Sequence, residues 1–168
     1  MKINGNIEKA LAILDSRNGK LQTHLNSCVR CGLCAESCIF YLTGKDERYI
    51  PAKKVDIVSS IYRRYNTLAG RLVPGLVKAR DLDESMAEEM VDLLYGSCTM
   101  CGRCTSHCSI GVDISYLVSV GRSMLAQMGM VPASLQSTVD AAIKTGNNMG
   151  IPEDDLLSRL QREEAARY

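Results

Sequence analysis

Apolar residues recur at helical spacing along most of this chain, in segments separated by short stretches rich in glycine, asparagine or proline. Ile7, Ala10, Leu11 and Leu14 predict an amphipathic helix over residues 6–17, closed near Asn18-Gly19. Gly44 to Arg48 reads as a turn, and Pro51 stands where a helix accepts proline at its first position. Val55, Val58, Ile61, Tyr62 and Tyr65 mark one face of the helix that follows. From Asn66 to Arg80 the period degrades: Leu68, Leu72, Val73, Leu76 and Val77 are interrupted by Gly70 and Pro74-Gly75, with Arg71, Lys78 and Arg80 interleaved. Two readings stay open there, a loop tucked onto the core or a docking surface for another subunit or a membrane. Asp83 opens the next helix, with Ser85 and Glu88 in capping-box spacing as a second start. Met86, Met90, Leu93 and Leu94 form its buried stripe, and Tyr95-Gly96 ends it. Gly111 permits a turn before the longest helix, carried by Ile114, Leu117, Val118, Gly121, Met124, Leu125 and Met128 and stopped by Gly129. Gly121 falls on its buried face, where a missing side chain allows close packing. Pro132 starts a further helix to about Lys144, Gly146 to Gly150 breaks the chain, and Pro152 begins a charged helix with a narrow edge of Leu156, Leu157 and Leu160. A helix this polar gains little from its own domain and is expected to rest against a neighbour. No stretch reads as a strand, so the fold class is mainly α.

The chemistry lies in one pattern that occurs twice. Cys28, Cys31, Cys34 and Cys38 are spaced C-x2-C-x2-C-x3-C, and Cys98, Cys101, Cys104 and Cys108 repeat that spacing seventy residues later. Thiolates two residues apart on a tight turn converge on one cubane, and in two-cluster ferredoxins the fourth cysteine ligates the other cluster. The spacing therefore predicts two [4Fe–4S] clusters with crossed ligation: Cys28, Cys31, Cys34 and Cys108 on one, Cys98, Cys101, Cys104 and Cys38 on the other. A zinc site would use two separated pairs about one tetrahedral centre. Disulfides are disfavoured by the close spacing and the absence of a recognisable signal peptide. The ferredoxin run ends in Cys-Pro, whereas Ile39 follows Cys38 and Ser109 follows Cys108. Without proline an additional N–H stands near each cluster, one lever on its potential. A helix precedes and follows each run, and the first of them is expected to cover the first cluster. His24 and His107 read as neighbours of the sites or surface residues, because the thiolates already fill every ligand position.

Composition narrows the picture further. There is no Trp and a single Phe, so the core must be aliphatic and rich in Met, and cluster binding is expected to supply part of the folding free energy. Without iron, much of the fold is expected to be lost. No apolar run approaches the roughly 20 residues needed to cross a bilayer, and a soluble, cytoplasmic protein is expected. The net charge is +1. Residues 45–80 nevertheless carry nine basic and three acidic side chains, and residues 81–168 thirteen acidic and six basic. That polarity suits docking to a partner or a solvated surface. Nucleic-acid binding is not expected, since no nucleic-acid fold motif surrounds the basic stretch. There is no dinucleotide fingerprint, no P-loop and no cysteine left for a nucleophile, so no catalytic residue is assigned.

Two such runs separated by about sixty residues of helix, followed by Gly111-Val112-Asp113-Ile114 and a long helix, resemble the α-helical ferredoxin that forms the small two-cluster subunit of heterodisulfide reductase. The resemblance covers roughly Leu21 to Gly150. Gly146-Asn147-Asn148-Met149-Gly150 is similar to the Gly-Asn-Pro-x-Gly segment that precedes the cysteine-rich domain of related fused oxidoreductases, with Asn148 in place of proline. The resemblance implies an α-helical ferredoxin domain over residues 1–150, wrapped around two [4Fe–4S] clusters, and a C-terminal polar helix over 151–168 that contacts a partner. It also implies a hetero-oligomeric electron-transfer subunit, fed by a flavin and iron–sulfur subunit like that of heterodisulfide reductase. Electrons would pass to a catalytic, disulfide- or thiol-active subunit of the heterodisulfide reductase type. The alternative is the iron–sulfur subunit of a membrane-linked, quinone-coupled dehydrogenase of the glycerol phosphate or succinate type, with a membrane or quinone-linked partner. A third reading is a structural or oxidant-sensing cluster protein.

Overall fold

A computed structural model describes residues 6–167; the outermost positions of the expected spans, 1–5 and 168, lie outside the described residues. The chain divides into two compact units at Met130/Val131. The boundary expected at 150 falls within the second unit, between its two helices. The first unit contains α1 (Ile7–Ser16), α2 (Asn18–Ser27), α3 (Ile39–Gly44), α4 (Pro51–Asn66), α5 (Leu68–Leu72), α6 (Glu84–Val91), α7 (Arg103–Ser106) and α8 (Ile114–Gln127). The second contains α9 (Ala133–Thr145) and α10 (Glu153–Ala165). No strand occurs among the described residues, so the mainly α expectation holds.

Helix α8 is the axis of the first unit, packed against α1, α4 and α6. Its Leu117, Val118, Met124 and Leu125 meet Ala10 and Leu14 of α1, Val58 and Ile61 of α4, and Met90 of α6 in one core. Five methionines, Met86, Met90, Met124, Met128 and Met130, are buried in it, the flexible filling expected of a core without Trp. The caps foreseen at Pro51 and Asp83 are present: Pro51 opens α4, and the Asp83 side chain accepts from the Met86 N–H at 2.8 Å. Past Val91 the α6 helix widens into a π-helical turn over Asp92–Gly96, which keeps Leu93 and Leu94 in the core as the chain turns toward Cys98.

Gly121 sits where α8 meets α6 and α4. A Cβ there would strike Leu94 Cδ1 and lie 3.4 Å from Val58 Cγ2 and 3.6 Å from Met90 Cε. Alanine gains about 1 kcal/mol of helix propensity over glycine and meets only flexible side-chain ends. Leucine has no room, so Gly121→Leu is expected to lower stability by about 1–3 kcal/mol in urea denaturation, with Gly121→Ala close to neutral.

The helix expected over 6–17 is present as α1 and ends at Ser16, ahead of Asn18-Gly19; a second helix, α2, which was not foreseen, opens there at once. Leu21 and Leu25 are buried in the core, and Asn18 Oδ1 accepts the Tyr62 hydroxyl at 2.5 Å, so the chain turns back at Arg17 instead of leaving the domain. Helix α1 packs on α8 and lines neither cysteine cavity, so it is not a lid over the first cluster.

The segment after α4 does not tuck in. Leu68, Leu72, Val73 and Leu76 are exposed, although the backbone beneath them is firmly tied. Thr67 caps α5 by accepting from Gly70 N–H at 3.0 Å. Arg71 donates to the Tyr65 carbonyl, and Arg63 Nη1 donates to the Val77 carbonyl at 2.9 Å. In the second unit neither α9 nor α10 has a buried residue, and Leu135, Val139 and Ile143 of α9 stand exposed at intervals of four.

Candidate metal centre

The two cysteine runs adopt one backbone twice. In each, the residue before the second cysteine is left-handed, Arg30 at φ 58° and Met100 at φ 55°, and so is the glycine after it, Gly32 at φ 82° and Gly102 at φ 77°. The glycines meet this requirement without a Cβ penalty, while Arg30 and Met100 take a conformation uncommon for side-chain-bearing residues. Gly32 caps a 3₁₀ turn over Leu33–Ser37, and Gly102 caps α7. Each short turn carries the third cysteine of its run.

The fourth cysteine of each run lies with the other run. One cavity is bordered by Cys98, Cys101, Cys104 and Cys38; the second by Cys28, Cys31, Cys34 and Cys108. Ile114, at the start of α8, borders both and stands as the partition between them. The N-terminal turn of α4 also serves both, with Ala52 at the second cavity and Pro51 and Lys54 at the first. Four thiolates on one zinc would stand about 3.8 Å apart around a single point; here each quartet lines a concavity, an arrangement that suits a multi-iron core.

The donor chemistry fits such a core. All eight cysteines are unpaired, with Cys31 and Cys101 exposed and the other six partly or fully buried. Burial, reinforced by the neighbouring Cys98, pushes the Cys104 thiol up to about 11. Burial, with Cys28 and Cys31 nearby, pushes Cys34 up in spite of the backbone amide of Ala52. Cys101 is held below its ordinary value, chiefly by the backbone amide of Arg103. Buried thiols such as Cys34 and Cys104 would ionise more readily with the positive charge of iron beside them. Met100 N–H donates to Cys98 Sγ and Val112 N–H to Cys108 Sγ, each at 3.4 Å.

The segment Gly111-Val112-Asp113-Ile114 acquires a physical meaning here. Gly111 turns the chain at φ 78°, Val112 is buried with its N–H on Cys108, and Asp113 caps α8 by accepting from Tyr116 N–H at 2.9 Å. Asp113 N–H donates to His24 Nδ1 at 3.2 Å, which pins α2 to the end of the second run. His24 is thus a bracing residue and borders neither cavity. His107 is exposed, 3.8 Å from Glu36 on the other run.

Sequence reasoning missed Arg122. Its guanidinium donates to the Leu94 carbonyl at 2.7 Å and to the Cys98 carbonyl at 2.6 Å, and lies 4.7 Å from the Tyr95 ring centroid. It fastens the start of the second run to α8. A lone arginine beside Gly121, in a helix with no other charged residue, was the available signal. Losing two charge-assisted bonds to buried carbonyls costs about 2–3 kcal/mol, so Arg122→Met is expected to show that loss in urea denaturation of the iron-loaded protein. An open groove adjoins the Cys28/Cys31/Cys34/Cys108 cavity at Arg30, and its Arg30 and Arg80 pair with Asp56 and Glu89 at 2.5 and 2.7 Å. Exposed pairs of this kind contribute little to stability.

An all-helical domain that gathers eight cysteines into two quartets is that of a two-cluster iron–sulfur protein. Residues 24–112 match the 4Fe-4S dicluster domain family, to which the chain belongs. It binds two [4Fe–4S] clusters and is a relative of heterodisulfide-reductase-like iron–sulfur subunits. It is 30% identical over 146 residues to the Hdr-like menaquinol oxidoreductase iron-sulfur subunit 2 of Archaeoglobus fulgidus, covering 87% of this chain and 26% of that protein. It is 33% identical over 145 residues to the Hdr-like menaquinol oxidoreductase iron-sulfur subunit of Archaeoglobus profundus, covering 83% and 26%. It is 27% identical over 146 residues to the EtfAB:quinone oxidoreductase of Syntrophomonas wolfei, covering 76% and 20%. The chain thus spans about a quarter or less of the length of these relatives. No helix among the described residues is long and apolar enough to cross a membrane.

Proposed function

We propose that this chain is a non-catalytic electron-transfer subunit of a heterodisulfide-reductase-like complex at the cytoplasmic side. It would accept single electrons from a flavin and iron–sulfur subunit and deliver them to a separate subunit of the catalytic heterodisulfide reductase type, where the disulfide or thiol chemistry occurs. The observation that supports this is the exchange of fourth cysteines between runs. In this reading Cys28, Cys31, Cys34 and Cys108 hold one cluster, and Cys98, Cys101, Cys104 and Cys38 the other. When bound, two fully ligated clusters supply one-electron chemistry and leave no open coordination site for a substrate. Around them Val112 and Ile114 exclude water, Met100 and Val112 donate to sulfur, and the exposed Cys31 and Cys101 form an edge to each site.

The exposed apolar residues between Leu68 and Leu76 and the coreless second unit are surfaces for partner subunits, with residues 151–168 contributing a polar helix to the contact. A quinone-coupled complex is the second reading. It is favoured by the names of three relatives, two menaquinol oxidoreductase subunits and a quinone oxidoreductase.

The test is iron and sulfide analysis of anaerobically purified protein, followed by stopped-flow reoxidation of the reduced form. About eight iron and eight sulfide per chain are expected, with rapid reoxidation by a catalytic partner of the heterodisulfide reductase type and its disulfide. Reoxidation only by a quinone-bearing membrane subunit would establish the second reading. Clusters that give up electrons to neither partner would return the chain to a sensing or structural role.

A further inference from the structure

We infer that Lys54 is the fixed counter-cation of the cluster bordered by Cys38, Cys98, Cys101 and Cys104, and that it makes this cluster the more easily reduced of the two. The inference rests on the relay reading and adds a direction to it.

Lys54 lies in the first turns of α4 and is 2% exposed. Its Nζ donates to the Tyr49 carbonyl at 3.1 Å, and none of the ion pairs among the described residues involves it. Burying an ammonium against a neutral carbonyl alone is unfavourable, because nothing replaces the charge–water interaction it loses. The compensating anion must therefore be something the folded chain binds. Lys54 borders the cavity of this quartet, and Cys38 Sγ approaches the same Tyr49 carbonyl at 3.7 Å. Four thiolates around a [4Fe–4S] core carry an overall negative charge that grows by one on reduction, so the ammonium favours the reduced state more than the oxidised one.

The other cavity has no equivalent. There α4 presents Ala52, and the cation beside that quartet, Arg30, is half-exposed and neutralised by Asp56 at 2.5 Å. Water screens Arg30, whereas Lys54 acts through protein interior, where the same charge interacts more strongly. The two runs repeat one backbone, and this asymmetry on α4 differentiates them. An electron shared between the clusters rests on the Lys54 side, which gives the edge at Cys31 to the donor and the edge at Cys101 to the acceptor.

The test is a redox titration followed by electron paramagnetic resonance on iron-loaded wild type, Lys54→Met, Lys54→Gln and Lys54→Arg. Wild type is expected to show two midpoints. Lys54→Met and Lys54→Gln should lower the more positive one and leave the other unmoved, and Lys54→Arg should restore it. Loss of this one cluster in both neutral variants with retention in Lys54→Arg would equally assign the counter-charge. Both clusters loaded in Lys54→Met with unmoved midpoints, a shift of the lower midpoint instead, or loss of the cluster in Lys54→Arg as well would overturn the inference. Wild-type protein without two reducible clusters would instead overturn the relay reading beneath it.

Discussion

Cys38→Ser is expected to empty the cluster held by Cys98, Cys101 and Cys104 and to leave loaded the one nearest to it in sequence. Iron should fall from about eight to about four per chain, the remaining cluster should keep its own reduced signal, and the broadening caused by a second paramagnet should vanish. The reasoning is spatial. Cys38 follows the 3₁₀ turn of the first run, which directs it into the cavity of the second run, beside Lys54 and Thr99. Cys108 is delivered to the first run by the turn after α7, where Val112 N–H meets its sulfur. The mirror experiment, Cys108→Ser, should therefore empty the cluster at Cys28, Cys31 and Cys34. A serine that emptied its own run's cluster in either variant would refute the crossed assignment. A stability loss should accompany each, because each fourth cysteine closes a cross-link between segments about seventy residues apart in the chain, and a site formed only in the folded state adds its binding free energy to folding.

What could be read from sequence is what local chemistry fixes. The spacing of each cysteine run, proline at the start of α4, Asp83 as a cap and Gly111 as a turn all act within a few residues, and the structure contains each of them. The placing of each fourth cysteine beside the other run's cavity was expected because the longer last step displaces that thiol along the chain from its own run. What escaped depends on residues far apart in the chain. Asn18-Gly19 marks the end of α1 as its composition suggests, yet the second helix that opens there depends on Tyr62 and on the burial of Leu21 and Leu25. Lys53 and Lys54 are adjacent and chemically identical, and only the register of α4 against the cavity buries the second of them. Arg122 resembles any surface arginine until its reach to the Leu94 and Cys98 carbonyls is known. The 68–76 segment kept two readings because its apolar residues suited either one; the Arg63 and Arg71 hydrogen bonds hold the backbone down while the leucines point outward.

Removing both clusters is expected to lower the melting temperature by at least about 10 °C, a loss of several kcal/mol for a domain of this size. It should also make residues 28–38 and 98–112 the first sites of proteolysis. Those segments have little else to hold them. They consist of a 3₁₀ turn and a one-turn helix whose buried residues are few, chiefly Cys34, Ala35 and Val112, and two of their backbone positions are left-handed without being glycine. Once iron is gone, burial favours the neutral thiols of Cys34 and Cys104, and nothing draws the sulfurs back together. The core of α1, α4, α6 and α8 is different: the cysteine runs pack against it, but most of its buried side chains are leucines, valines, isoleucines and methionines of the helices themselves. Helical circular dichroism at low temperature should therefore survive in large part, a narrower loss than composition alone suggests. The decisive comparison is hydrogen exchange before and after chelation under oxidising conditions. Exchange rising in the two cysteine segments while α8 stays protected is the expected pattern, and uniform loss of protection through Leu117, Met124 and Leu125 would mean that the clusters, and not the aliphatic core, hold the whole domain.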